Sequence, residues 1–392
     1  MPSRCGTLGQ LVETIGDVYY ENKVLTMFSN IYCGKKVLVT GHTGFKGSWL
    51  TCWLVKLGAE VVGVSKDVPT KPAMFEDLQL ESMVKHHICD IRDYEGLSKI
   101  VNIERPDVIF HLAAQAIVST SYDEPAETIT TNAIGTMNIM EVLRKVSWPC
   151  SAVLITSDKS YDNVEWVWGY KETDSVGGKD VYSGSKGAAE LIIKSYYHSF
   201  FHNKNHSVNL AVGRAGNVIG GGDWARDRII VDTVKAWSKK QSVEIRCPDA
   251  TRPWQHVLEP ISGYLALGAD LLIEGLADGE AFNFGPRAEQ NRTVTDLLTT
   301  MADKWTADIP NTPYKVTDNI PFKEAGLLKL NCDKALFQLK WDATLNYDQT
   351  VKMTAAWYSA YYGDDASLFD VTIKQIDEYQ SIAVERGSSW VL

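Results

Sequence analysis

Val37-Leu38-Val39-Thr40-Gly41-His42-Thr43-Gly44-Phe45-Lys46-Gly47 is the stretch that decides the fold. A short apolar run ends at Thr40-Gly41, glycines then recur every third residue, and a helix-like stretch continues over residues 47–57. A continuous apolar run of this length reads as a strand buried on both faces. Glycines at its end allow a tight turn, let the backbone approach a pyrophosphate, and permit close packing of helix on strand. The free N–H groups at the helix start suit an anion. An ordinary strand-to-helix turn could carry the same glycines, so the reading depends on the pattern of the residues downstream.

Outward from this loop the pattern is regular. Glu60-Val61-Val62-Gly63-Val64 reads as a second strand, and others are expected at 86–89, 107–112, 152–156 and 209–212. Helical stretches lie between them, notably 126–145 and 182–200. Alternating buried strands and helices predict an α/β chain, a Rossmann-type doubly wound parallel sheet covered on both faces. After about residue 215, Gly220-Gly221-Gly222, Pro248, Pro253, Pro260 and Pro286 cut the chain into shorter pieces. Residues 34–215 are therefore expected to form the dinucleotide-binding domain. Residues 216–392 are expected to be mainly a smaller C-terminal substrate-binding lobe, interleaved with the last sheet elements. Residues 1–33 have weak periodicity and read as an N-terminal extension of unknown role, with Met27 an alternative start.

Composition narrows the class. Lys and Arg total 39 against 49 Asp and Glu, a net charge of −10, with no local basic patch. Such a chain is poorly suited to tracking nucleic acid or an anionic membrane. No apolar run approaches the roughly 20 residues that span a bilayer. The seven cysteines (Cys5, Cys33, Cys52, Cys89, Cys150, Cys247, Cys332) never take Cys-x-x-Cys spacing. That favours reduced thiols in a cytoplasmic protein over a disulfide framework, and no metal site is expected.

Two further constellations carry chemistry. Tyr182-Ser183-Gly184-Ser185-Lys186 places a tyrosine and a lysine one helical turn apart, facing one side. A nearby ammonium stabilises a phenolate, so Tyr182 could exchange a proton with a sugar hydroxyl. Ser157 at the end of a strand would complete the trio. The second strand ends in Ser65-Lys66-Asp67, where Asp67 could accept from a ribose hydroxyl and Lys66 could meet a 2′-phosphate. NAD is favoured over NADP without being settled. Asp90-Ile91 after the third strand could hold an adenine edge, or Asp90 could simply cap a helix.

These residues together resemble the extended short-chain dehydrogenase/reductase family. The likeness runs over about residues 34–345 and rests on Gly41 to Gly47, Leu112-Ala113-Ala114-Gln115, Asn132, Ser157 and Tyr182 to Lys186. Longer strings resemble the branch of its nucleotide-sugar 4,6-dehydratases that acts on CDP-glucose: Thr156-Ser157-Asp158-Lys159-Ser160-Tyr161-Asp162-Asn163, Gly216-Asn217-Val218-Ile219-Gly220-Gly221-Gly222-Asp223-Trp224, Arg252-Pro253-Trp254-Gln255-His256-Val257 and Trp166-Val167-Trp168-Gly169-Tyr170. The resemblance implies NAD, held by Gly41, His42, Gly44, Phe45, Lys46, Gly47, Asp90, Ile91, Leu112, Ala113, Ala114, Asn132, Tyr182 and Lys186. It implies a sugar oxidised at C4, water lost across C5 and C6, and hydride returned to C6. Ser157, Tyr182 and Lys186 would serve the oxidation and Asp158 would protonate the C6 hydroxyl. Related dTDP-glucose enzymes carry a glutamate as the C5 base where this chain has Lys159. Lysine is a credible base only if its pKa is lowered; otherwise it would stabilise the enolate while Tyr161 assisted.

On the substrate side, Asn217 matches a sugar or pyrophosphate contact, and Arg252 and Arg228 suit the diphosphate, where a guanidinium fork fits two oxygens. Trp224 and Trp254 read more readily as packing than as binding residues, and His256 and Lys334 as structural. Glu324 to Asn331 resembles the family's segment after the substrate lobe, with Asn331 where aspartate is usual. The resemblance also implies a homodimer or homotetramer built on the helices 126–145 and 182–200. The alternatives are a related dehydratase or 4-epimerase acting on a UDP, dTDP or GDP sugar, and an NAD-binding sensor without turnover. The intact Ser157, Tyr182 and Lys186 argue against the last.

Overall fold

The computed structural model describes residues 19–20, 23–24, 26–202, 206–287, 290–306, 308–317, 327–363 and 367–391. Among them, seven parallel strands form the central sheet: β1 (Lys36–Thr40), β2 (Glu60–Ser65), β3 (Lys85–Ile88), β4 (Val108–His111), β5 (Cys150–Ile155), β6 (Val208–Ala215) and β7 (Ala281–Phe284). Their spatial order is β7-β6-β5-β4-β1-β2-β3, so the chain reverses direction across the sheet between β1 and β4. Ligands of open α/β sheets bind at that reversal, beyond the carboxyl ends of the strands.

Period-two alternation in the buried strands divides the core in two. Val37, Val39, Val108, Phe110 and Val153 face one side, where α1 (Phe45–Lys56), α8 (Leu258–Ile273), α10 (Tyr347–Tyr362) and α11 (Leu368–Glu385) supply Trp49, Trp53, Leu265, Trp357 and Tyr379. Leu38, Ile109, Ala152 and Leu154 face the other, against Leu97, Val101, Ile139, Leu143 and Ile193. These come from α2 (Tyr94–Glu104), α5 (Gly135–Arg144) and α6 (Val181–Tyr196). The expected helix over 126–145 is α4 (Pro125–Ile129) and α5 joined through a wider π turn, Thr130–Ile134. A short helix, α3 (Val118–Asp123), precedes them.

Beyond residue 215, α7 (Ile229–Trp237) and α9 (Val294–Lys304) pack with small two-stranded ribbons, while 281–284 return to the sheet as β7 beside β6. At the other end of the chain, residues 27–33 pack on the core. Phe28 stacks on Trp390 with ring centroids 5.0 Å apart, and the Tyr32 hydroxyl donates to the Leu265 carbonyl at 2.6 Å. Met27 bridges to Val391, so both ends of the described fold close the same core face. Most of residues 1–26, and Glu324 to Gly326, lie outside the described residues.

Trp390 also stacks on Tyr379 at 5.9 Å and is itself buried. Replacing Trp390 by Ala should cost about 3–5 kcal/mol of stability, as for other large aromatic truncations in cores. Urea unfolding followed by far-UV circular dichroism measures this, and a change below about 1 kcal/mol would show that the terminal closure is loose.

Candidate active site

The glycine loop sits at the carboxyl end of β1. Gly41 has φ +75°, and a Cβ there would lie 2.8 Å from the Ala113 nitrogen, so only glycine lets the 112–114 segment cross so closely. A Cβ on Gly47 would meet the Gly41 carbonyl oxygen at 2.1 Å. Helix α1 starts at Phe45 with Gly44 as its cap and no side chain closing its N-terminus. Its first N–H groups therefore have no capping side chain, the Leu112–Ala113 backbone passes close by Gly41, and Phe45 reaches toward Gly220 of the later lobe. This is a cradle for an anion.

Three residues expected to hold the cofactor have partners within the protein. His42 is fully buried beneath it. Its Nδ1 pairs with the Ser65 hydroxyl at 3.0 Å and its Nε2 with Nδ1 of His86 at 2.8 Å. Burial, with His86 nearby, lowers its pKa to about 4, and the ring supports the loop from below. Asn132 is also buried. Its amide donates to the Gln115 carbonyl at 3.0 Å and the Ser185 hydroxyl at 2.8 Å, and its oxygen accepts from Gln115 N. It is a brace between the β4 loop and α6 rather than a ligand contact. Asp90 is not a helix cap, since Asp93 caps α2. Asp90 instead grips the Arg92 guanidinium, which with its backbone N–H holds the carboxylate well below its usual range. Ile91 is buried against Gly135.

At the carboxyl end of β5 the predicted chemical residues converge. The Ser157 hydroxyl donates to Asp158 Oδ1 at 2.9 Å and accepts from Lys159 N at 3.2 Å. Asp158 is buried, and its Oδ2 finds no hydrogen-bond partner among the described residues. Tyr182 and Lys186 face this point from α6, with the Lys186 Nζ 6.0 Å from the Tyr182 ring centre. Burial pushes Tyr182 up to about 12, opposed chiefly by the Arg228 guanidinium, with Asp158 adding to the rise and the Ser157 hydroxyl reducing it. Arg228 thus acts on the phenol as a second cation, besides Lys186 on the same helix. Lys186 is lowered to about 8 by burial and by Lys46, against the pull of Glu190. Lys46 is lowered to about 8 by burial, and the charges acting on it are Asp158, Arg228 and Asp223. Its side chain is thus directed at the reacting corner as well as at the cradle.

Below this corner lies a buried ion pair that the sequence reading missed. Arg214 on β6 donates to both oxygens of Glu190 on α6, at 2.7 and 2.9 Å, and Thr156 donates to the same carboxylate at 2.5 Å. Arg214 also donates to the Tyr161 hydroxyl at 2.7 Å, which in turn donates to Asn283 at 2.8 Å. Tyr161 is thereby fully engaged, and burial raises its pKa. The spacing of Lys186 and Glu190, four residues apart on one helix, was the available signal.

A cleft of about 890 Å³ opens beside the corner, lined among others by Lys159, Asn217, Asp223, Arg228, Arg246 and Arg252. Arg228 caps the start of α7, and its Nη2 donates to the Ala116 carbonyl at 3.2 Å. Trp254 lines the cleft, whereas Trp224 packs on Tyr358 and Tyr361 in the core. His256 and Lys334 are structural as expected, the first buried against Trp49, the second bonded to Glu280. No described helix is long and apolar enough to cross a membrane.

Residues 38–354 match the family model described as GDP-mannose 4,6 dehydratase. The chain is 44% identical over 361 residues to the CDP-glucose 4,6-dehydratase of Salmonella typhimurium, covering 90% of this chain and 98% of that one. It is 25% identical to the dTDP-glucose 4,6-dehydratase of the same organism, covering 83% and 93%. Among solved structures, the UDP-glucuronic acid 4-epimerase of Bacillus cereus, bound to UDP-glucuronic acid and NAD, matches with a TM-score of 0.71 at 20% identity, over 83% of this chain and 100% of that one. The dTDP-glucose 4,6-dehydratase of Bacillus anthracis in complex with NAD matches at 0.68 and 18%, over 83% and 96%. At such identities the structural likeness speaks for the fold.

The depressed Lys186 has a consequence for stability. Its folded pKa lies near 8 and its unfolded value near 10.5, so below pH 8 the fold carries an ammonium it disfavours. The unfolded chain binds more protons between those values, and stability rises with pH across that window. Lys186→Met should therefore be more stable than the parent at pH 7 by up to about 3 kcal/mol. The advantage should shrink as pH rises from 8 to 10.5. Urea titrations at pH 7 and pH 10 test this; an equal difference at both pH values would show that Lys186 is not the depressed group.

Proposed function

The chain belongs to the GDP-mannose 4,6 dehydratase family, and from that premise we propose that it converts CDP-D-glucose to CDP-4-keto-6-deoxy-D-glucose and water, using tightly held NAD. The observation that carries the reading is Asp158, a buried carboxyl next to Ser157 with one oxygen unpartnered. A 4-epimerase needs only the Ser, Tyr and Lys trio, whereas a dehydratase needs a further acid at that place. The 44% identity to the Salmonella enzyme supports CDP-glucose as the substrate.

The residues present fit the dinucleotide. The cradle a Cβ on Gly41 or Gly47 would fill, and the open N-terminus of α1, suit a pyrophosphate. Gly41, Gly44, Gly47 and the 112–114 backbone would hold it, with Lys46 near the phosphates. When bound, NAD supplies the acceptor for a hydride from C4 and the donor for its return to C6. The chain's own groups move the protons. Tyr182 takes the proton of the C4 hydroxyl, its phenolate stabilised by Arg228, Lys186 and the Ser157 hydroxyl. The resulting ketone acidifies the C5 proton. Lys159, half-buried on the cleft wall, serves this step as the C5 base or as the cation that stabilises the enolate, and the Tyr161 hydroxyl is bonded to Arg214 and Asn283. Asp158 holds the proton for the departing C6 hydroxyl. Arg228 and Arg252 take the diphosphate and Asn217 the sugar side, so that the substrate lies against the 216–392 lobe and the dinucleotide against residues 34–215.

In the same reading the protein is a cytoplasmic homo-oligomer serving deoxysugar synthesis for surface polysaccharide. Ile129, Ile134, Leu191 and Phe200, exposed along α4 to α6 and the turn after α6, support a helical bundle between subunits.

Mass spectrometry of CDP-, dTDP-, UDP- and GDP-glucose incubated with the purified protein tests the reaction. Loss of one water from CDP-glucose alone is expected; loss from another nucleotide sugar instead would discard the substrate. Asp158→Asn should retain C4 oxidation while dehydration falls by about 10²-fold or more. Tyr182→Phe should lose turnover while still binding NAD. Unimpaired dehydration by the Asn variant would remove Asp158 from its role.

A further inference from the structure

The outer end of the dinucleotide cradle lies where β2 stops, at Ser65-Lys66-Asp67. Asp67 stands 20 residues after Gly47, where an acidic residue commonly meets the ribose 2′-hydroxyl. Its carbonyl accepts from the Thr43 hydroxyl of the glycine loop at 2.7 Å, which fixes the turn, and its side chain is exposed with no ion-pair partner among the described residues. Lys66 beside it is not available. Its Nζ pairs with Glu127 Oε1 at 3.0 Å, and the other oxygen of Glu127 is taken by Arg92. Arg92 in turn holds Asp90 through Nε, 3.0 Å from each carboxylate oxygen. The turn that carries Arg92 is anchored by buried Asn138, which donates to the Ile91 and Arg92 carbonyls at 2.9 and 3.0 Å.

Two cations and two carboxylates thus close on one another at this end of the cradle, and their charges cancel. Lys66 and Arg92 are the groups that would otherwise recognise a 2′-phosphate, Arg92 by its fork and Lys66 as a point charge. Glu127, reaching in from α4, occupies both. A phosphate carrying a charge near −2 would have to displace that carboxylate from Lys66 and then sit beside it. A 2′-hydroxyl meets no such cost and has Asp67 as its acceptor.

We infer that Glu127 is the residue that makes this site select NAD over NADP, by neutralising Lys66 and Arg92. The inference rests on the dinucleotide-binding reading above and adds its specificity determinant. Specificity here is set against the unwanted ligand, through an anion placed where its phosphate would go.

The test is equilibrium binding of NAD and NADP to the full-length protein, freed of any copurified dinucleotide, by titration calorimetry, with no sugar present. In Glu127→Gln the affinity for NADP should rise about tenfold while that for NAD stays within about threefold, because two cations are released toward a phosphate. Adding Lys66→Ala to that variant should remove most of the gain. The ratio of the two affinities is read rather than either alone, so a general loosening of α4 would move both and leave the ratio unchanged. An unchanged ratio, or a gain that survives Lys66→Ala and Arg92→Ala together, would overturn the assignment. A parent protein that binds NADP as well as NAD would overturn it too. A parent that binds neither would sink the NAD reading itself, and this inference with it.

Discussion

Everything in the reacting corner hangs on the buried Arg214–Glu190 pair. Moving two charges out of water costs several kcal/mol per ion, and only near-complete hydrogen bonding offsets it. Here both carboxylate oxygens are bonded by the guanidinium, a threonine adds a third bond, and the remaining guanidinium nitrogen reaches Tyr161. The geometry that satisfies the charges also sets the register of three chain segments. Thr156 immediately precedes Ser157 and Asp158, Glu190 stands one helical turn after Lys186, and Arg214 stands just before Gly216 and Asn217. A shift of any one of the three would break a buried charge contact, which costs about 3–5 kcal/mol when one partner is lost. The serine, the acid, the tyrosine and the lysine are therefore held in one place by a contact that touches none of the chemistry.

The frame of this molecule was legible because its signals are local. Val37-Leu38-Val39 with closely spaced glycines after it needs no partner to be read, and at Gly41 and Gly47 a Cβ would collide with backbone. Tyr182 and Lys186 fall on one helix face by spacing, and the resemblance to the family added Ser157 at a strand end and the roles of all three. What the sequence hid were pairings between distant segments. His42 looked like a loop residue facing ligand; its commitment to Ser65 and His86 appears only once β1, β2 and β3 lie side by side. Asn132 looked like a ligand contact, and its amide is spent on Gln115 and Ser185. Asp90 was read as an adenine contact or a cap; Asp93 takes the cap, and the arginine two residues on pairs with Asp90. Phe28 and Tyr32 belong to a stretch too short to show a period, and their burial depends on Trp390 and Leu265, hundreds of residues away.

The same distinction explains why base and cofactor choices were hard to read. Lys66 and Asp67 are adjacent and opposite in charge, so the strand end by itself is ambiguous between a hydroxyl and a phosphate. A third residue on a different element resolves it, since Glu127 ties up one of the two and leaves the other exposed. Lys159 and Tyr161 posed a similar choice, which the Arg214 and Asn283 bonds to Tyr161 narrow. In both cases a tertiary hydrogen bond engages one of the residues that the sequence singled out.

The electrostatics of the corner also explain why its ligands should be anionic. Lys46 and Arg228 act on Asp158 and Asp223, and Lys186 stands beside Lys46 with Glu190 as its anion, so several cations share a volume largely removed from water. The two lysines respond by lowering their pKa values to about 8, and Tyr182 remains high near 12 despite Arg228 beside it. A diphosphate placed on this surface supplies the missing negative charge, and by linkage it must raise the pKa values of the lysines it approaches. Ligand binding and proton uptake are then coupled: an anion binds better when both ammonium groups are charged, below about pH 8, than when they are neutral. The unliganded corner therefore holds its lysines near the pH at which small shifts decide their charge, and the charge of the substrate completes the arrangement that its sugar requires.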